Sequence, residues 1–295
     1  MSVPAAYIAV ILIWSTTPLA VKWSGQDAGY LFGVVARMGI GALVCVVILA
    51  FLRQSLYWHR RAVLTYFAAS IGVYGSMLLV YWASQFIPSG LLSVLFGLTP
   101  LLTGIFSAVI LNERSLTANK LAGTILGILG LVAIFHSNIA TGENANFGIA
   151  AVLIATTLHS FSTVLIKKIN SDLPSIVLNT GSLLLASLLF MLTWVLSGQT
   201  MPGTLSLRSG VAILYLGIFG SVIGFTLYYY ALKNMDANRI GLIPLITPVL
   251  ALMLGHFLNH ESVGLMIWLG AALIVTGLLL HQGRSLLPAY ARNHI

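Results

Sequence analysis

The feature that most constrains this chain is a succession of long apolar runs separated by short polar connections. Of its 295 residues, 59% are hydrophobic and 7% are charged, which leaves no room for a large soluble domain. A helix needs roughly 20 apolar residues to cross the hydrocarbon core of a bilayer. The runs therefore predict an all-α membrane protein with ten spanning helices, near residues 4–21, 29–52, 63–83, 89–111, 119–135, 147–166, 174–197, 209–231, 238–258 and 264–280.

The charged residues predict which side of the membrane each connection faces. The net charge is +8, but the basic residues are concentrated in alternate connections and in the C-terminal tail, which indicates a membrane orientation and not nucleic-acid binding. The other set of connections holds only Lys22 and Arg208. Because positively charged connections stay in the cytoplasm, both termini are predicted to be cytoplasmic, as an even number of spans requires.

The two halves of the chain carry the same pattern. A shift of 148 positions aligns three separate blocks in the same order, namely 98–102 with 246–250, 81–83 with 229–231, and Glu113 with Glu261. A shift of 147 aligns Gly123 and Gly130 with Gly270 and Gly277. These matches predict a first repeat at residues 1–137, a second repeat at 147–282 and a cytoplasmic tail at 283–295.

Each repeat contains five predicted spans. Because five is an odd number, the second repeat must enter the membrane upside down relative to the first. Inverted repeats are characteristic of secondary transporters, in which one repeat rocks against the other around a site near the bilayer midplane. An ion channel is the alternative for such a chain, and the inverted repeat favours a carrier.

Short motifs recur at fixed places in the predicted helices. Both repeats contain Thr-Pro, then a helix that ends in Glu113 or Glu261, and then a glycine-spaced helix. The first span adds Ile13-Trp14-Ser15 followed by Lys22, and the second span adds Ala36-Arg37-Met38. Over residues 4–282 this pattern resembles the EamA family of the drug/metabolite transporter superfamily, and it is most similar to YddG-type bacterial exporters of aromatic and other amino acids.

This resemblance implies a function and a location. A member of that family would be a multi-pass exporter of the bacterial inner membrane, with ten helices around a central cavity. We expect a monomeric carrier that has the lipid bilayer and a small-molecule substrate, an amino acid, as partners and needs no cofactor. Export of other drugs or metabolites is the alternative within the same family.

Paired prolines are the first candidate site residues. Thr99-Pro100 and Thr247-Pro248 lie at equivalent depths of the fourth and ninth spans. Proline removes an amide donor and frees a carbonyl, which lipid cannot satisfy, so matching helix breaks in two repeats point to a binding site. A pair of packing kinks against neighbouring helices is the alternative interpretation.

Aromatic side chains on one face of the third span are further candidates. Tyr74, Met77 and Tyr81 follow each other at helical spacing, and the repeat places Phe225 and Tyr229 at the positions of Met77 and Tyr81. Aromatic rings with hydroxyl groups and an adaptable methionine suit an apolar cavity that accepts several side-chain shapes. Ordinary packing in the core or against lipid explains them equally well.

Trp14 and its repeat partner His159 are predicted to line one central cavity. Trp14 is followed by Ser15, and His159 is followed by Ser160 and Thr163. Hydroxyl groups at this depth often bond carbonyls of their own helix. An ionisable imidazole within a span usually faces the bundle or water, so His159 is predicted to contact substrate or carry a proton, with a structural hydrogen bond as the alternative.

Arg37 is the basic residue that lies well inside a predicted span. The sequence offers no carboxylate at membrane depth to pair with it. Three roles remain open, in which Arg37 binds backbone carbonyls, extends to the membrane interface, or meets a substrate carboxylate. We favour a structural role, because the resemblance places this arginine in exporters of chemically different solutes.

Several chemistries are missing from the sequence. All six acidic residues fall in connections or at helix ends, which disfavours exchange of a proton for a cationic drug and favours neutral or zwitterionic substrates. Coupling through His159 and facilitated export both remain. His256 and His260 have metal-ligand spacing but no third ligand nearby, so we predict no metal site. The motifs of intramembrane enzymes are not present either, and we predict a protein that is not an enzyme.

Overall fold

A computed structural model describes residues 3–112, 118–135, 144–234, 243–261 and 264–286. This part of the chain is helical and contains no β-strand. We number the helices α1 Val3–Ser24, α2 Tyr30–Phe51, α3 Arg60–Ala83, α4 Ser89–Ile110, α5 Ala118–Phe135, α6 Ala145–Ile169, α7 Ser175–Ser197, α8 Leu207–Asn234, α9 Ile243–Asn259 and α10 Leu265–Leu286.

Seven of the described helices, α1 to α4 and α6 to α8, are long and apolar enough to cross a membrane. They contain between 22 and 28 residues each. Large apolar side chains such as Leu43, Phe147 and Leu196 are exposed on their outer faces, where a soluble protein would carry polar groups. The chain is therefore a multi-pass membrane protein, helical throughout its described spans, while the count of ten spans stays a prediction.

The two repeats pack against each other in matched pairs of helices. Helix α1 packs against α8 and α9, and its counterpart α6 packs against α3 and α4. Helix α2 contacts both α7 and α8, α3 contacts α7, and the pairs α4 with α9 and α5 with α10 complete the set. Every one of these contacts has its counterpart when α1–α5 are exchanged with α6–α10, which is the pattern that a twofold relation between two copies produces.

Both repeats also contain a π-helical segment at the same place. It spans Ile71–Ser76 in α3 and Leu216–Gly224 in α8, and the two segments overlap after the shift of 148 positions. A π-helix bonds residue i to i+5, so it changes the angular spacing of the side chains that follow, and such segments are frequent at functional sites. The sequence did not predict these segments.

Glycines bring α5 and α10 into close contact. A Cβ atom added to Gly130 would lie 2.6 Å from the Gly270 carbonyl oxygen, and one added to Gly277 would lie 2.5 Å from the Gly123 carbonyl oxygen. These are the four glycines that the repeat alignment pairs. Gly130 contacts Gly270, the repeat partner of Gly123, and Gly277, the repeat partner of Gly130, contacts Gly123. No side chain fits at this crossing.

We expect Gly277→Leu to force α5 and α10 apart and to destabilise the protein by about 1–3 kcal/mol, the usual range for overpacking. A lower unfolding midpoint in detergent would measure the effect. Gly39→Leu is the matched control, because nothing lies within 4 Å of the Cβ position at Gly39 in α2. An unchanged midpoint for Gly277→Leu would contradict the close helix crossing.

Candidate functional site

Aromatic rings from four helices meet where the two repeats pack together. Trp14 of α1 lies 4.9 Å from Tyr228 of α8 and 6.2 Å from Phe225, measured between ring centroids. His159 of α6 lies 6.4 Å from Trp14 and 5.9 Å from Tyr228, and Phe96 of α4 lies 6.0 Å from His159. We call these five residues the aromatic cluster. The structure thus brings Trp14 and His159 within ring contact, while a central cavity lined by both stays a prediction.

The Thr163 hydroxyl lies next to the aromatic cluster and hydrogen-bonds to two of its residues. Thr163 Oγ1 donates to the His159 carbonyl at 2.9 Å and lies 3.1 Å from the Tyr228 hydroxyl. Tyr229 stacks on Phe225 at 6.3 Å and lies beside Tyr228. Neither ring nitrogen of His159 has a hydrogen-bond partner in the described part of the chain, so its polar atoms are unused by the fold.

Pro100 lies beside an interruption of α4 that adjoins the aromatic cluster. The helix breaks at residues 97–98 and restarts at Thr99. Pro100 has no N–H to donate to the Phe96 carbonyl, and the Thr99 hydroxyl donates to that carbonyl instead, at 2.6 Å. Ser160 Oγ reaches across from the second repeat to the Thr99 carbonyl at 3.3 Å. A hydrogen bond from Ser160 therefore links α6 to the Thr-Pro pair at the break in α4.

Pro248 does not mark an equivalent break, so the prediction of two matching interruptions is wrong for the second repeat. It is buried within α9, which is continuous from Ile243 to Asn259. A proline removes a single amide donor, and a helix can continue past it with a kink. In α4 the interruption includes Gly97, whereas Leu245 stands at the corresponding position of α9.

The predicted face formed by Tyr74, Met77 and Tyr81 is divided in the structure. Tyr74 packs on Phe190 of α7, with ring centroids 4.8 Å apart, and its hydroxyl lies 2.7 Å from Thr193 Oγ1. Met77 and Tyr81 instead lie beside Arg37 of α2. The π-helical segment that ends just before Met77 explains the division, because it rotates the later residues relative to Tyr74.

Ser15 is a further candidate that the structure does not bring to the aromatic cluster. Its hydroxyl donates to the Ile11 carbonyl of its own helix at 2.7 Å, and the side chain is buried. This bond to the preceding turn is the common fate of serine within a span. We therefore remove Ser15 from the candidate site and keep Trp14.

A buried carboxylate joins the repeats at one end of the bundle. Glu261 is only 8% exposed, and its Oε2 atom accepts hydrogen bonds from the Ser89 amide and the Ser89 hydroxyl, both at 2.9 Å. Its Oε1 atom accepts from Asn259 at 2.9 Å and lies 3.7 Å from Lys22 Nζ. We call these four residues the Glu261 network. It ties α1 and the start of α4 to the end of α9.

The Glu261 network extends to α8 through aromatic and basic side chains. Asn259 Oδ1 accepts hydrogen bonds from Trp23 Nε1 at 2.8 Å and from Arg208 Nη2 at 3.1 Å. The Arg208 guanidinium carbon lies 4.1 Å from the centroid of the Trp23 ring, a cation–π contact. Contacts between the two repeats therefore join them at the end of the bundle that carries Lys22.

Asp27, in the connection between α1 and α2, adds a second link to α8. Hydrogen bonds to Asp27 lower the pKa of its carboxyl group below the ordinary value, with the larger effect from Ser206 and a smaller one from Ser209. This carboxylate is therefore ionised at neutral pH. Ser209 Oγ lies 2.8 Å from the carboxylate and 2.9 Å from the Trp23 carbonyl. This link is a further contact between the two repeats at the Lys22 end.

Three features of the site escaped the sequence analysis. Phe96 and Tyr228 complete the aromatic cluster, and Glu261 proves to be a contact between the repeats. The run of three tyrosines at 228–230 was a signal for Tyr228, and the repeated glutamates at 113 and 261 were a signal for the network. Glu113 and the loop that follows it lie outside the described residues.

Comparison with known proteins agrees with this architecture. Residues 3–136 and 146–281 each match the EamA-like transporter family, so the family match repeats within the chain. The chain is 26% identical to the uncharacterized transporter YoaV of Bacillus subtilis, over 93% of this chain and 94% of YoaV. It is 25% identical to the protein PagO of Salmonella typhimurium, over 99% and 96% of the two chains.

Two further comparisons concern location and fold. The uncharacterized inner membrane transporter YedA of Escherichia coli is 24% identical, over 96% of this chain and 92% of YedA. A solved crystal structure covers 95% of this chain and 96% of its own, with a TM-score of 0.67 and 22% identity, which shows the same fold. The names of these relatives specify no substrate.

Proposed function

This chain belongs to the EamA-like transporter family, and we propose that it exports amino acids, aromatic and other neutral ones, across the bacterial inner membrane. In this proposal the protein is a monomeric carrier with ten spans that works by alternating access. The observation that carries the substrate class is the aromatic cluster, which lies between the two repeats and includes an imidazole without a partner among the described residues.

The composition of the aromatic cluster supports a substrate with an apolar side chain and no net charge. Rings of Trp14, Phe96 and Tyr228 offer apolar surface, and Tyr228 and His159 add polar atoms. None of the described acidic residues contributes to this cluster, so a cation would find no carboxylate there. Neutral and zwitterionic solutes therefore suit this site better than cationic drugs.

The charge pattern supports placing the Lys22 end of the bundle on the non-cytoplasmic side. With cytoplasmic termini, the end of the bundle that carries Lys22 and Glu261 is the non-cytoplasmic end. The Glu261 network then closes the outer end in this conformation. Because the repeat pairs Glu261 with Glu113 and Lys22 with Lys167, we expect Glu113 and Lys167 to close the cytoplasmic end when the outer end opens.

Counterflow into liposomes tests the proposed substrate class. We expect purified protein in liposomes loaded with unlabelled phenylalanine to accumulate labelled phenylalanine, with a saturable rate, because a carrier exchanges substrate across a closed membrane. Protein-free liposomes are the control. Lack of counterflow with phenylalanine and other neutral amino acids would contradict the substrate class, and single-channel conductance would contradict a carrier.

Two further measurements address direction and coupling. Cells that overproduce an exporter should tolerate higher concentrations of toxic amino-acid analogues than cells with the empty vector. For coupling, His159→Ala is compared with the unchanged protein across a wide pH range. Transport that keeps its rate and its pH dependence in this variant would remove His159 from proton coupling and leave facilitated export.

A further inference from the structure

Arg37 is a buried cation without a carboxylate partner. Its side chain is only 1% exposed, in the middle of the packing between α2, α3 and α8. Arg37 Nε donates to Ser221 Oγ at 3.0 Å, and Nη1 lies 4.0 Å from Met77 Sδ. The ion pairs of the described residues are Lys22 with Glu261 and Lys233 with Asp172, so neither involves Arg37.

Two of the three roles that the sequence left open do not fit the position of Arg37, although its bond to Ser221 of the other repeat is a structural contact. A side chain this deeply buried does not extend to the membrane interface. Its contacts among the described residues are a hydroxyl and a thioether, and no backbone carbonyl accepts from it there. Since a guanidinium carries five N–H donors, the fold leaves most of them without a strong acceptor.

The surroundings of Arg37 contain a second polar group without a partner. The Tyr81 ring lies 5.9 Å from the guanidinium carbon, and the Tyr81 hydroxyl is buried without a hydrogen-bond partner in the described part of the chain. A buried charge without a counter-ion and a buried hydroxyl without a hydrogen-bond partner are both unfavourable in a medium of low polarity. An anion beside the guanidinium would supply the strong acceptor that Arg37 lacks.

Arg37 is also close to the aromatic cluster. A Cβ atom added to Gly220 would lie 3.1 Å from Arg37 Nη2, and one added to Gly224 would lie 3.2 Å from Trp14 Nε1. These two glycines are about one helical turn apart on α8. The guanidinium and the indole therefore both lie against the same segment of α8.

We infer that Arg37 is the subsite for the carboxylate of the transported amino acid, an inference that rests on the proposed function. The carboxylate binds the free Nη donors, and the Met77 thioether at Nη1 moves aside, as its flexible side chain allows. Ser221 holds the guanidinium through Nε, and the aromatic cluster holds the side chain of the substrate. A carrier built this way selects a zwitterion without any acidic residue at membrane depth.

Binding of phenylalanine and of phenylalaninamide to the purified full-length protein tests this inference, because the amide lacks the carboxylate. We expect the unchanged protein to bind phenylalanine roughly 10- to 100-fold more tightly than the amide, the range of a charge-assisted hydrogen bond. In Arg37→Gln this preference should vanish, and in Arg37→Lys it should be intermediate, since lysine keeps the charge but not the planar fork. Arg60→Gln, at an exposed position of α3, is the matched control and should keep the full preference.

The outcomes separate the inference from the proposed function. Equal binding of both compounds to the unchanged protein overturns the carboxylate subsite and leaves amino-acid transport standing. A preference that persists in Arg37→Gln also overturns it. Binding of neither compound overturns the proposed substrate class together with this inference. Because the first comparison needs no variant, the test stands even if Arg37→Gln does not fold.

Discussion

Replacing Glu261 with alanine is expected to loosen the end of the bundle that carries Lys22 and to lower the unfolding temperature. The carboxylate is buried and makes five hydrogen-bond or ion-pair contacts, two with Ser89 and one each with Gly90, Asn259 and Lys22. Its removal leaves the Ser89 amide without an acceptor in a buried position, at a cost of about 3 kcal/mol. Unfolding in detergent would measure the loss of stability.

Loosening at this end can be measured separately from stability. In a Cys45→Ser background, Leu91→Cys places one thiol at a buried position of α4 near Ser89. We expect Glu261→Ala to raise the labelling rate of that thiol by a water-soluble reagent at least several-fold, because the α4–α9 contact opens. Labelling and unfolding that both stay unchanged would contradict the role of the Glu261 network.

Asp172→Ala is the matched control for this change. Asp172 also pairs with a lysine at 3.7 Å, Lys233, but its side chain is fully exposed to solvent. Exposed ion pairs contribute little to stability because water and salt screen them. The control variant should therefore unfold at the same temperature as the unchanged protein. A similar loss in both variants would mean that the charge alone matters, and not the buried network.

The helices were largely predictable because each membrane helix follows from the length and apolarity of one continuous stretch of sequence. Length and apolarity predicted the helices, seven of which are long and apolar enough to span a membrane, and the repeat showed which residues occupy equivalent places, such as Trp14 and His159. The glycines at 123, 130, 270 and 277 were aligned in the same way, and they form the α5–α10 crossing. Such pairs follow from repetition alone and need no knowledge of packing.

The parts of the site that escaped prediction depend on helix phase and on distant contacts. The π-helical segments alter the phase of α3 and α8, and this decides that Tyr74 packs on α7 while Tyr228 enters the aromatic cluster. The bond between Ser89 and Glu261 joins residues 172 positions apart, and neither residue's neighbours in sequence indicate the other. Pro248 failed as a marker for a related reason, because a single missing amide does not decide whether a helix stops.

The repeats give a symmetric backbone to a site of asymmetric chemistry. Trp14 and His159 occupy equivalent positions, yet one is an apolar ring and the other can carry a proton. Arg37 has no basic counterpart either, because residues 182–185 of the second repeat are a serine and three leucines. The proposed substrate, with an apolar ring and a single carboxylate, would match this asymmetry with its ring at the aromatic cluster and its carboxylate at Arg37.

Trp14→Ala should therefore reduce counterflow of phenylalanine the most among single changes in the aromatic cluster, by roughly tenfold or more. The indole contacts Phe225, Tyr228 and His159 and links α1 to both α6 and α8, so its loss removes the largest surface available to an aromatic side chain. Trp14→Phe keeps a ring and should retain most of the rate.

Trp58→Ala supplies the matched control, since this tryptophan is 77% exposed in the connection between α2 and α3 and its change should leave counterflow unaltered. Comparison of phenylalanine with alanine as substrate adds a readout that misfolding would not produce. If Trp14 holds the substrate ring, Trp14→Ala slows phenylalanine far more than alanine. Equal slowing of both substrates would assign Trp14 to packing between the repeats and contradict its place in the substrate site.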